Sequence, residues 1–124
     1  MDFSKLNGLI AAVIQDVETR EVLMVGFMNQ DALERTIGSG FATFFSRTRN
    51  KLWMKGETSG NRLRVERLLV DCDDDTLLVL VTRLGDGNVC HTGERSCFFR
   101  TYEDQSSDTA DLTGERKKAK QNGG

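Results

Sequence analysis

The chain has 124 residues, with 17 basic and 19 acidic side chains and a net charge of −2, which argues against a general nucleic-acid binder. Hydrophobic residues at 38%, together with 12 glycines, give the apolar share of an ordinary folded protein and exclude the disordered and fibrous classes. The length suits one domain rather than two, and the longest purely aliphatic run, Leu77 to Val81, falls far short of the roughly 18 residues that cross a bilayer.

The apolar runs Leu9 to Ile14 and Val22 to Phe27 flank the polar stretch Gln15 to Glu21 and read as a β-hairpin. The first run follows Asp2, Asn7 and Gly8 with no cleavage signal, so it is a strand and not a secretory core. Asn29 can cap a short helix from Gln30 to Ile37, with Ala32, Leu33 and Ile37 as its apolar stripe and Gly38 or Gly40 as its stop. Phe41 to Arg49, Arg62 to Cys72 and Thr76 to Leu84 are rich in β-branched, aromatic and aliphatic residues and predict three more strands. Two glycine-containing loops, Lys51 to Asn61 and Gly85 to Cys97, hold most of the unusual polar residues. The expected fold is α+β, mostly antiparallel strands with one or two short helices, in a single domain over residues 1–103. The polar stretch 104–124 reads as a disordered tail, too short for a second catalytic domain.

Three constellations carry chemistry. Asp71, Asp73, Asp74 and Asp75 crowd four carboxylates into five residues. If that segment is extended, Asp71, Asp73 and Asp75 share one face, with Cys72 and Asp74 on the other, and the three hard oxygens suit Mg²⁺. An EF-hand is excluded, because Thr76 and Thr82 stand where its glycine and its bidentate glutamate belong. The competing reading is a solvated turn, in which Asp74 would be the pure turn residue.

Cys72, Cys90 and Cys97 are the only cysteines, and His91, the only histidine, adjoins one of them. Their spacing does not make the paired knuckles of a closed zinc finger. It fits an open site of three ligands and a water, with His91 as general base, or else small buried thiols beside a structural histidine. The third constellation is W-M-K-G-E-T-S-G-N at Trp53 to Asn61. Lys55, the hydroxyls and the glycine N–H groups could take a phosphate, while Trp53 stacks on a base. It could equally be a polar hairpin loop. Seven cations lie between Arg47 and Arg67.

Together, W-M-K-G-E-T-S-G-N, D-C-D-D-D-T-L-L and C-H-T-G-E-R-S-C-F resemble the signature of the phosphoribosyl-AMP cyclohydrolase family of histidine biosynthesis, in the family's order and over roughly residues 8 to 100. G-L-I-A-A-V-I, V-L-M-V-G-F-M-N and F-F-S-R-T-R are similar to it as well. The resemblance implies a cytoplasmic homodimer that uses Zn²⁺ and Mg²⁺ to hydrolyse the N1–C6 bond of a purine nucleotide, with no nucleic-acid or membrane partner. By position, it implies that Cys72, Cys90 and Cys97 bind zinc, with Cys72 coming from the opposite subunit. Asp71, Asp73 and Asp75 would bind magnesium and His91 would be the base. Trp53, Lys55, Ser59 and Gly60 would contact the substrate, and Arg47 would help hold its phosphates. The chain departs from the pattern in its longer, proline-free Gly85 to Val89 approach to Cys90, and in Arg83, where glutamine is usual. The expected activity is single. The alternatives are a small nucleotide- or RNA-binding module with structural cysteines and a zinc nucleoside deaminase, although the H-x-E and P-C-x-x-C pairing of the latter is missing.

Overall fold

A computed structural model describes residues 1–104. The first two strands, β1 (Ile10–Asp16) and β2 (Val22–Met28), form the expected hairpin, and Asn29 caps helix α1 (Gln30–Ser39) by accepting the Ala32 N–H at 2.8 Å. The helix runs two residues past the expected end, since Gly40, with φ of 81°, and not Gly38 supplies the left-handed stop.

The predicted strand 41–49 is shorter and has a partner that the sequence reading missed. β3 (Thr43–Ser46) turns through Asn50, at φ of 52°, into β4 (Lys51–Met54), which had been expected to be loop. Leu52 and Trp53 pack against the core and so make β4 a strand, in spite of the polar residues around them. β5 (Leu63–Val70) and β6 (Thr76–Arg83) complete the chain of strands, and a 3₁₀ turn covers Tyr102–Asp104. Apart from Asp104, the expected disordered tail lies outside the described residues.

The four-stranded sheet has the order β2-β1-β6-β5; every pairing is antiparallel except that of β1 with β6. Its two central strands are therefore brought together from far apart in the sequence. Ile10, Ala12 and Ile14 of β1 and Leu77, Val79 and Val81 of β6 alternate onto one fully buried face. Phe44 from the β3–β4 hairpin lies on that face directly against Gly26, where a side chain would collide with its ring. Thr36 of α1 is buried and accepts the Thr43 N–H at 3.0 Å, which ties the helix to the hairpin. The opposite face carries the row Val25, Val13, Leu78 and Leu69, in register across all four strands. Three of these are half-buried and Val25 is 44% exposed, so the row keeps apolar surface in contact with water.

Candidate metal and nucleotide site

Beyond β6 the chain folds back on itself around the second and third cysteines. Val89 donates to Arg95 O and Cys90 to Glu94 O, and Gly93 closes the tip by donating to Cys90 O at 2.9 Å. Ser96 and Cys97 are then pinned to β2, the Ser96 hydroxyl donating to Val22 O at 2.8 Å and the Cys97 N–H to Leu23 O at 2.7 Å. The two thiols face each other closely enough to alter one another's ionisation. Cys90 lies 3.1 Å from the Thr92 hydroxyl, whose hydrogen bond is the main reason its thiol sits below the ordinary range; the Thr92 N–H and the Lys55 charge act the same way. The Cys97 thiol is pushed up, first by desolvation and then by the neighbouring Cys90 charge. One thiolate therefore forms before the other. His91 is exposed at the tip of the turn.

The acidic run is not extended, so the predicted alternation of faces is overturned. Asp71 folds the segment by accepting the N–H groups of Asp75 at 3.0 Å and Thr76 at 3.1 Å through Oδ1, and Asp74 takes a left-handed φ of 63°. Asp74 is thus the turn residue that the alternative reading named. The turn nevertheless gathers oxygens of Asp71, Asp73 and Asp75 within 4.8 Å of one another, compact enough to share a hard cation. The Lys5 ammonium already lies 3.3 Å from Asp73 and 3.2 Å from Asp75, and the Asp2 N–H donates to Asp74 O, so the N-terminal segment rests on this turn.

Among the described residues this acidic triad is the one convergent set of three acidic, cysteine or histidine ligands; the three cysteines do not meet within one chain. Cys72 is exposed in the acidic turn before β6, whereas Cys90 and Cys97 follow its far end. At about 3.3 Å per residue, the length of β6 separates the two ends by roughly 20 Å.

The glycine loop after β4 lies at the two-thiol end. Lys55 donates to Ala42 O, Ala42 donates to Leu63 O, and Leu63 pairs with Arg83 at the close of β6. Gly56 and Gly60 take φ of 79° and 84°, and Gly60 N–H donates to Gly56 O. An open cavity of about 550 Å³ is lined by Lys51, Trp53, Gly56, Thr58 and Ser59 among others, and Trp53 is braced on Phe44 with ring centroids 5.1 Å apart. Arg47 is elsewhere. It stacks 4.6 Å above the Phe27 ring and lines a separate cavity of about 500 Å³ with Asn7, Asn29 and Asn50, so one chain does not bring it to Trp53 and Lys55.

Sequence reasoning missed Lys5, Asp16, Asn61 and Arg83. Asp16 is buried and binds Arg83 at 2.8 Å; burial raises its carboxyl pKa, but the Thr19 N–H, the Arg83 guanidinium and the Glu18 N–H outweigh this and hold it below the ordinary range. The only signals available were the unusual Arg83 itself and the position of Asn61 at the close of the tryptophan motif.

A family model described as phosphoribosyl-AMP cyclohydrolase matches residues 24–99. A phosphoribosyl-AMP cyclohydrolase from Solibacter usitatus is 55% identical over 103 residues, which is 83% of this chain and 81% of that protein. One from Geobacter sp. (strain M21) is 56% identical over 106 residues, 86% of this chain and 84% of its own length. A histidine biosynthesis bifunctional protein from Haemophilus influenzae is 54% identical over 106 residues, and the chain spans 47% of its length.

Proposed function

Because the chain belongs to the phosphoribosyl-AMP cyclohydrolase family, we propose that it opens the purine ring of phosphoribosyl-AMP by hydrolysing the N1–C6 bond, a step of histidine biosynthesis. The family match displaces the RNA-module and deaminase alternatives. The observation that carries the reading is the fold-back of residues 89–97, which sets the Cys90 and Cys97 thiols together beside the loop that bears Lys55.

On this reading zinc is held by Cys90, Cys97 and Cys72 of the partner subunit, and magnesium by Asp71, Asp73 and Asp75. Two cysteines after β6 and the third before it, not converging within one chain, make sense if a second copy lies antiparallel to the first. The half-exposed row around Val25 is the kind of apolar surface that such a dimer would cover. Residues 1–104 contain no helix long and apolar enough to cross a membrane, and three free thiols suit a reducing cytoplasm.

Bound there, zinc would lower the pKa of a water, and magnesium would offset phosphate charge. The chain does the rest. Trp53, supported from behind by Phe44, offers a face for the purine, while Lys55 and the Ser59 hydroxyl, carried on the turn that Gly60 closes, hold phosphate oxygens and so fix C6 in place. His91, exposed beside Cys90, takes a proton from the attacking water. The water oxygen bonds to C6, the N1–C6 bond breaks, and the proton returns to N1.

The test is conversion of phosphoribosyl-AMP by purified protein supplied with Zn²⁺ and Mg²⁺, followed by ultraviolet absorbance; no conversion by the metal-loaded protein refutes the reading. C97S should lose both zinc and turnover while staying folded. H91A should lose rate with its zinc retained.

A further inference from the structure

We infer that Asn61 is a positioning residue: its carboxamide latches the loop before Cys90 onto the nucleotide loop, so that bound nucleotide and thiols keep one spacing. The inference rests on the cyclohydrolase reading and adds to it a residue that touches neither substrate nor metal.

Asn61 closes the Gly56 to Gly60 loop, its own N–H donating to the Ser59 hydroxyl at 3.1 Å. The side chain reaches across to the other loop. Its oxygen accepts the Asp86 N–H at 3.1 Å, and its NH₂ donates to Asn88 O at 3.3 Å. One amide orientation satisfies both contacts, since a donor faces a carbonyl and an acceptor faces an N–H. From the other side the Arg83 guanidinium donates to Gly87 O at 2.8 Å while it is anchored on buried Asp16. Three successive loop residues, 86, 87 and 88, are therefore each held, two by Asn61 and one by Arg83. The loops also touch through backbone. A side chain at Gly85, whose φ is 71°, would lie 2.9 Å from Gly60 O. Directly after this clamp, Val89 enters the core at 2% exposure and fixes where Cys90 begins.

The loop before Cys90 carries two glycines and no proline, so it has many conformations to exclude. The Asn61 and Arg83 contacts restrict it where no proline does. A shift of about 1 Å between nucleotide and reacting centre can cost on the order of 100-fold in rate, so the latch should act on kcat more than on substrate binding.

The test compares N61A and N61D with the full-length, metal-loaded protein, reading kcat, KM, metal per chain and hydrogen exchange of the Asp86 amide. N61A should speed Asp86 exchange and lower kcat about 10- to 100-fold, with KM and metal content little changed. N61D keeps the acceptor for the Asp86 N–H and loses the donor to Asn88 O. Its Asp86 exchange should stay slow, and its kcat should fall between the other two. Unchanged kcat in N61A, unchanged Asp86 exchange, or a rate loss matched by the loss of folded protein overturns the proposal. Failure of the cyclohydrolase reading looks different: the unsubstituted protein leaves phosphoribosyl-AMP intact while the exchange contrast persists, which removes the catalytic role of the latch.

Discussion

Mixing two inactive variants should restore a defined share of the activity. Zinc–sulfur bonds of about 2.3 Å place the sulfurs of one tetrahedral site about 4 Å apart. Cys72 lies before β6 and Cys90 and Cys97 after it, and the three do not converge within one chain, so a three-sulfur site must draw on two chains. In a twofold dimer C72S spoils both sites, and so does C97S. A hybrid of the two concentrates both lesions in one site, because the substituted Cys72 of one subunit meets the substituted Cys97 of the other. The second site is intact. Random reassortment of equal amounts makes half the dimers hybrid, so the mixture should recover about one quarter of the wild-type activity and tightly bound zinc, from parents with almost none. The assay is co-refolding of the two variants, followed by metal analysis and turnover per chain. A mixture no more active than its parents, with hybrid dimers demonstrated, would show that the thiol site is not shared in this way.

Three further outcomes follow from the geometry. D16N keeps an oxygen for the Thr19 and Glu18 N–H groups and removes the charge facing Arg83; since Asp16 is 7% exposed at the side chain, the loss should be about 1.5–3 kcal/mol at neutral pH in urea unfolding. Because its folded pKa lies below the ordinary 3.8, that stability is present above about pH 4 and fades as pH falls through the lowered value, so variant and wild type should converge in acid. G26A would bring a methyl group to 2.5 Å from Phe44 Cδ1 and should cost about 1–3 kcal/mol, with F44L in the same chain relieving part of it; additive costs in the double variant would contradict the close contact. K5A frees Asp73 and Asp75 of a competing ammonium and should tighten Mn²⁺ binding, followed by electron paramagnetic resonance, a few-fold; equal or weaker binding would separate Lys5 from the cation site.

The strands of the main sheet were legible because their burial pattern is local. Nearly continuous apolar runs mark β1 and β6, the two strands in the middle of the sheet. β4 was hidden by polar neighbours, since what makes Lys51–Met54 a strand is its pairing with β3 and the seat of Trp53 on Phe44, both set by tertiary contact. The acidic triad was found for a partly mistaken reason. Its carboxylates converge because Asp71 bends the backbone, and not because an extended strand alternates. Period-two reasoning fails wherever an aspartate can capture its own downstream N–H groups. Asn61 and Lys5 could not be recognised beforehand, because their partners stand 25 to 70 residues away along the chain.

The parallel union of β1 with β6 also sets the order in which the molecule can be built. A nascent chain leaving the ribosome can close the β1–β2 hairpin early, but Ile10–Asp16 waits for its other neighbour until Thr76–Arg83 has been synthesised. That late strand carries the acidic turn at its beginning and leads into the cysteine loop at its end. Prematurely terminated products should therefore combine an open, aggregation-prone strand edge with an unassembled catalytic apparatus, and quality control would meet inactive chains as sticky ones.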